Sequence, residues 1–97
     1  MIQSFADAET EDIYNGLNSK RARKRLNPIF YEAARRKLDM LEAAIDLEDL
    51  KIPPANRLEA LKGNLKGKYS IRINEQYRIV FSWGDQGPEQ IKITDYH

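Results

Sequence analysis

The spacing of apolar residues changes in the middle of the chain, and this change constrains the fold more than any other feature. From Ile29 to Ile45, apolar side chains recur at helical spacing. After Pro53-Pro54 they alternate with polar ones, as in strands that have one face in water. The sequence therefore predicts an α+β fold, with helices followed by an antiparallel sheet, in a single domain over residues 1–97.

The first half is predicted to contain a short strand and two helices. They are a strand over residues 2–5, a helix over residues 8–15 that Asp7 caps and Gly16 ends, and a long helix from Asn27-Pro28 to near Asp46. The basic cluster from Lys20 to Arg25 is expected to form a connector or an extra turn. Residues 47–56 are expected to be mostly loop.

The second half is predicted to contain four strands, over residues 56–62, 68–73, 76–83 and 89–96. Short connections between consecutive strands favour an antiparallel meander. Both helices are then expected to pack on one face of the sheet, against a core of Phe30, Leu38, Leu41, Ile71, Ile73, Ile79, Phe81, Ile91 and Ile93.

The opposite face of this sheet is predicted to be polar. Alternation gives it Ser70, Arg72, Arg78, Val80, Ser82, Lys92, Thr94 and Tyr96. Such a face can simply be solvated. It can also hold single-stranded RNA, because cations meet phosphates and an aromatic ring stacks on a base.

Composition and charge narrow the classes of protein that the chain can belong to. The net charge is +1, but residues 1–50 carry −2 and residues 51–97 carry +3. The sequence has no cysteine and one histidine, so it predicts neither a disulfide scaffold nor a metal site. It also shows no signal peptide and no apolar run of membrane-spanning length, so a cytoplasmic location is expected.

The one histidine, His97, follows the last predicted strand. A histidine at a chain end is often idle, but its side chain changes charge near neutral pH. Metal-free RNA cleavage needs a base for the 2′-hydroxyl, an acid for the departing 5′-oxygen and cations for the phosphate. These parts could come from His97, Tyr96, Asp95, Glu59, Lys62 and Arg78.

Four segments together resemble the HigB toxins of bacterial toxin–antitoxin pairs, which belong to the RelE-like ribonuclease superfamily. They are residues 57–64 (RLEALKGN), 69–73 (YSIRI), 76–81 (QYRIVF) and 95–97 (DYH). The resemblance implies a RelE-like fold and a metal-independent, cofactor-free endoribonuclease that cuts messenger RNA in the A site of the 30S ribosomal subunit. It further implies a HigA-type helix-turn-helix antitoxin, a heterotetrameric toxin–antitoxin complex and no membrane association.

The resemblance also assigns roles to individual residues. His97 matches the catalytic histidine with Asp95 and Tyr96 beside it, Arg78 matches the arginine that holds the scissile phosphate, and Lys62 matches a further basic residue of the site. The cations Arg57, Arg72 and Lys92 are expected to bind RNA. Glu59 stands where some members have histidine, and a glutamate serves better as a base than as an acid near neutral pH.

Two other functions stay open from the sequence. One is a weakly catalytic or non-catalytic module of the same fold that binds RNA or the antitoxin, which the departure at Glu59 favours. The other is a ParE-like toxin directed at gyrase, which would not need Arg78 or the segment from Asp95 to His97.

Overall fold

A computed structural model describes residues 1–95 as three α-helices and a four-stranded sheet. The elements are α1 (Ala8–Tyr14), α2 (Lys20–Arg25), α3 (Tyr31–Ala43), β1 (Glu59–Ala60), β2 (Lys68–Arg72), β3 (Tyr77–Gly84) and β4 (Gly87–Asp95). The strands lie in chain order and each pair is antiparallel, which confirms the predicted meander. Within residues 1–95, no helix is long and apolar enough to cross a membrane.

Helix α1 begins at its predicted cap, whereas α3 begins later and ends earlier than the predicted long helix. The Asp7 carboxylate accepts a hydrogen bond from the Thr10 N–H at 2.9 Å and begins α1. A 3-10 turn over Pro28–Phe30 leads into α3, which ends at Ala43 rather than near residue 46. After it, the Asp49 carboxylate accepts hydrogen bonds from two backbone N–H groups, those of Ile45 and Asp46, at 2.9 and 3.1 Å. These bonds stabilise a turn in place of further helix.

The core lies between α3 and one face of the sheet, as alternation predicts. Seven residues of the predicted core are fully buried: Leu38, Leu41, Ile71, Ile79, Phe81, Ile91 and Ile93. Phe30 and Ile73 are only partly buried at its margin. The helices therefore cover one face and leave the other for a site.

Two predicted strands are shorter than expected. Residues 2–5 form a single parallel bridge, between Phe5 and Ile91 of β4, instead of a regular strand. The predicted strand over residues 56–62 is reduced to the two residues of β1. Its first part cannot be extended, because Arg57 has left-handed backbone angles, φ 46° and ψ 57°.

The basic cluster forms a helix of its own, α2, where a connector or an extra turn was predicted. The Ser19 hydroxyl caps it by accepting a hydrogen bond from the Ala22 N–H at 3.1 Å. Arg21 donates to Asp12 at 2.6 Å, and this hydrogen bond, with one from Ser19, holds the pKa of Asp12 below its ordinary value. Ala22 is the one buried residue of α2, so polar contacts rather than an apolar stripe hold this helix.

Candidate active site

Arg78 lies at the centre of the sheet face that the helices leave uncovered. The residue lies on the predicted polar face but is buried, with 6% of its surface exposed. Its Nε donates to the Ser70 hydroxyl at 2.8 Å, and its Nη2 donates to the Arg57 carbonyl at 2.6 Å. A buried cation needs such partners, since an unpaired one is costly. The guanidinium is therefore fixed in place from two sides.

Strand register places the other candidate residues in two rows across this face. The rows are Arg72–Arg78–Thr94 and Glu59–Ser70–Val80–Lys92, each written in the order of neighbouring strands. Neighbouring strands lie about 4.8 Å apart, and residues directly opposite one another share a face. Two arginines are thus direct neighbours, and a glutamate and a lysine stand at opposite ends of the second row.

The polar face is not evenly solvated. Ser70 is fully buried and Val80 is 7% exposed, whereas Lys92 at the edge is exposed. The loop that carries Arg57 reaches over β2, and the backbone carbonyl of Arg57 accepts a hydrogen bond from Arg78. The polar face therefore has a covered centre and an accessible rim.

A pocket of about 250 Å³ opens beside Arg78. Its lining residues are Arg57, Glu59, Arg72, Asn74, Glu75 and Arg78. The guanidinium of Arg72 is oriented by a hydrogen bond from its Nε to the Asn74 carbonyl at 3.0 Å. Guanidinium groups match the geometry of phosphate oxygens, and the exposed carboxylate of Glu59 could accept a proton. The pocket can thus hold a phosphate next to a proton acceptor, the Glu59 carboxylate.

Lys62 is not in this pocket but in the adjoining one. It follows β1 and precedes a 3-10 turn over Gly63–Leu65, with its side chain exposed. The adjoining pocket measures about 350 Å³, and Glu59 lines both pockets. The structure thus brings Arg57, Glu59, Arg72 and Arg78 together and places Lys62 one pocket away.

Of the remaining candidates, the structure describes Asp95, the last residue of β4. Asp95 is exposed, and its carboxylate accepts a hydrogen bond from Gln76 at 3.0 Å. Tyr96 and His97 lie outside the described residues, so their roles remain predictions. In residues 1–95, no group of three or more histidine, cysteine or acidic side chains could hold a metal ion.

Asn56, a buried residue that supports the site from behind, was not among the predicted site residues. Its amide donates to the Leu50 carbonyl at 3.1 Å and accepts from Lys37 at 2.5 Å. Burial lowers the pKa of Lys37, which crosses from α3 to this loop. These contacts fix the loop immediately before Arg57, whose carbonyl binds Arg78. Neither alternation nor helical spacing marks such an asparagine in the sequence.

Solved structures share the fold of this chain. The chain is similar to the toxin YoeB of Staphylococcus aureus, in a YoeB–YefM complex, with a TM-score of 0.60 and 24% identity, over 100% of this chain and 98% of that one. It is equally similar to the YoeB dimer from the same organism, with a TM-score of 0.60 over 99% and 94% of the two chains. At this identity the likeness concerns the fold.

Sequence relatives identify the family. Residues 3–97 match the model of the HigB-like toxins, described as the RelE-like toxin of type II toxin–antitoxin system HigB. Toxin HigB-1 of Vibrio cholerae is 49% identical over 86 residues, which are 88% of this chain and 86% of that protein. An uncharacterised protein of Haemophilus influenzae is 45% identical over 53 residues, 55% of this chain and 52% of that protein. The chain belongs to the HigB family of RelE-like toxins, as its motifs predicted.

Proposed function

We propose that this HigB-family toxin is a metal-independent endoribonuclease that cleaves messenger RNA in the A site of the 30S ribosomal subunit. Growth inhibition then follows from the loss of translation. The observation that carries the proposal is the buried guanidinium of Arg78, which Ser70 and Arg57 orient beside a pocket lined by Arg72 and Glu59. A guanidinium held in a fixed orientation matches the geometry of phosphate oxygens, which supports a phosphate ligand in this pocket.

The reaction that fits this site is an internal phosphoryl transfer. A base removes the proton of the 2′-hydroxyl, and the resulting oxygen attacks the adjacent phosphorus. The bond to the 5′-oxygen breaks and an acid protonates that oxygen, leaving a 2′,3′-cyclic phosphate and a 5′-hydroxyl. Negative charge accumulates on the pentavalent phosphate, where Arg78, Arg72 and Lys62 would stabilise it. Removal of one such donor typically costs about 100- to 1,000-fold in rate.

Proton transfer is assigned from the sequence and the family. His97 would act with its neighbours Asp95 and Tyr96, and a histidine exchanges protons readily at neutral pH. Glu59 would serve as a base, which its exposed position in the lining of the pocket supports. This division gives the acid step to the C-terminal segment.

The remaining assignments concern RNA and the partner. Arg57 and Arg72 line the proposed phosphate pocket, and Lys92 lies on β4 at the other side of the same face. All three would bind the RNA backbone. The partner would be a HigA-type helix-turn-helix antitoxin, in a heterotetramer with the toxin in the cytoplasm. Membership in a type II toxin–antitoxin family supports the antitoxin.

The test compares variants of Arg78 while the toxin is expressed in cells. Cut ends are mapped on translated messages, and growth is followed in parallel. Arg78→Ala should reduce cleavage about 100- to 1,000-fold and relieve growth inhibition. Arg78→Lys should also be impaired, because a lysine cannot reproduce the fork of donors. Lys51→Ala, on an exposed residue whose ammonium group pairs with Glu48 at 2.8 Å, is the control and should behave as wild type.

Folding of each variant is checked by thermal unfolding of the purified protein. Growth inhibition by the wild type with intact messages would refute the nuclease proposal and support a non-catalytic binding module. Inhibition of purified gyrase would support the ParE-like alternative instead. Full cleavage by a folded Arg78→Ala or His97→Ala variant would refute the role of that residue.

A further inference from the structure

A second pocket lies at the end of β4, on the side opposite to Glu59 and Lys62. It measures about 370 Å³ and is lined by residues of α2, β3 and β4, including Lys24, Tyr77, Lys92, Thr94 and Asp95. Its volume is within the roughly 300–1,000 Å³ of small-molecule sites. Lys92 and Asp95 of this pocket have roles in the function proposed above, but α2 and its Lys24 have none.

The pocket offers two lysine charges. Lys24 and Lys92 are both exposed, and within residues 1–95 neither has an acidic side chain within ion-pair distance. Surface lysines are often simply solvated, but these two come from different elements and meet at one concave site. Two cations converging on a pocket attract an anion more strongly than either does alone.

Arg25 explains why Lys24 is held at this pocket. Its guanidinium donates to the Asp7 carboxylate at 2.6 Å, to Glu9 at 3.1 Å and to the Ile93 carbonyl of β4 at 2.8 Å. Burial alone would raise the pKa of Asp7, but hydrogen bonds from Thr10 and Arg25 hold it below its ordinary value. Arg25 thus joins α2 to the edge of the sheet, and its neighbour Lys24 is positioned over the end of β4.

The pocket lies on β4, the strand that neighbours β3 and Arg78. Thr94, which lines it, is the direct cross-strand partner of Arg78. The backbone of Thr94 is therefore one strand spacing, about 4.8 Å, from that of Arg78, although the Arg78 guanidinium is directed to the other side, toward Ser70 of β2. Consider an RNA strand that has one phosphate bound to Arg78. If the strand continues across β4, its next nucleotide would reach this pocket.

We propose that this pocket binds the nucleotide adjoining the scissile phosphate. Lys24 and Lys92 bind its phosphate, and its base lies against the ring of Tyr77. That ring packs on Phe30 with 6.2 Å between centroids, so it is a supported surface. A mixture of cations, a hydroxyl and an aromatic ring suits a nucleotide better than an acidic peptide. This inference rests on the proposed ribonuclease function and extends it to a subsite.

The test compares two lysines of the same helix. Lys24→Ala is the probe and Lys20→Ala, one turn earlier and outside this pocket, is the matched control. Binding of a short fluorescein-labelled single-stranded RNA is measured by anisotropy over a range of salt concentrations. Lys24→Ala should weaken binding about fivefold at low salt and reduce the salt slope by about 0.7, which corresponds to one phosphate contact. Lys20→Ala should change both by much less.

The same variants are then assayed for cleavage of a translated message. Lys24→Ala should raise KM with kcat unchanged, because the residue binds RNA away from the reacting atoms. Equal affinities and equal salt slopes for the two variants would overturn the subsite. Loss of affinity for purified antitoxin without loss of RNA binding would also overturn it, in favour of a protein contact. An inactive wild type would refute the ribonuclease proposal, while the RNA-binding comparison would still report on the pocket.

Discussion

The two faces of the sheet bury residues by different means. On the face toward the helices, Ile79 and its apolar neighbours are fully buried against α3. On the other face, Arg78 is almost as deeply buried, but among a hydroxyl and two carbonyls. Consecutive residues of β3 thus enter an apolar core and a polar site.

This difference separates stability from function along one strand. Apolar burial is non-directional and grows with the area removed from water. The burial of Arg78 depends on a few hydrogen bonds whose geometry must be correct. Changes on the helix-facing side should therefore alter mainly the free energy of unfolding. Changes on the other side should alter mainly the proposed phosphate site.

The largest effect on stability is expected on the helix-facing side of the sheet. Substitutions at two adjacent positions of β3, which face opposite sides, compare the two faces. Ile79→Ala should lower the free energy of unfolding by about 2–5 kcal/mol, because the cavity lies in a packed core. Val80→Ala, on the opposite face, should cost about 1 kcal/mol, since Val80 lines an open pocket that can accommodate the loss. Urea denaturation of both variants measures the difference. Equal losses would mean that the second face is packed as tightly as the first.

The residues on the helix-facing side of the sheet could be predicted from the sequence. Period-two alternation fixed Ile71, Ile79 and Ile93 on one face, and the structure buries all three. Capping residues located two helix starts as well, at Asp7 and Asn27, since each side chain accepts a nearby backbone N–H. These signals are local, so they can be read without knowing the tertiary structure.

The polar features were harder to predict because their partners are distant in the chain. Arg78 meets Ser70 and the carbonyl of Arg57, which are eight and 21 residues away. Alternation places Arg78 on the correct face but does not show that a loop covers it. Helix α2 was missed for a similar reason: its ion pairs, such as that of Arg25 with Asp7, leave no apolar periodicity. Ser19 as a cap was the one local signal.

An intermediate effect should come from Ser70, which orients Arg78 without being placed to touch the RNA. Ser70→Ala leaves the Nε–H of a buried guanidinium without its hydroxyl acceptor. We expect cleavage to fall about tenfold, which corresponds to about 1.4 kcal/mol, through kcat rather than KM. Ser70→Thr keeps the hydroxyl and should recover part of the activity.

The matched control for Ser70 is Ser82→Ala, on the same face. Its hydroxyl accepts from Lys68 at 3.2 Å and does not contact Arg78. Cleavage by this variant should stay close to wild type. If Ser70→Ala and Ser82→Ala were equally active, the hydroxyl of Ser70 would not orient the guanidinium in the way the geometry indicates.

The smallest expected effect separates the backbone of Arg57 from its side chain. The residue has a left-handed conformation, with φ 46°, which glycine adopts at little cost and alanine does not. Arg57→Gly and Arg57→Ala both keep the carbonyl that binds Arg78, and both remove the cation. Arg57→Gly should be more stable than Arg57→Ala by about 0.5–1 kcal/mol, while both should lose the same RNA affinity, about fivefold. Thermal unfolding and anisotropy measure the two quantities. Unequal RNA affinities would show that the backbone conformation of Arg57, and not only its charge, contributes to binding. The polar face would then depend on the loop that carries Arg57 even more than the hydrogen bonds of Arg78 indicate.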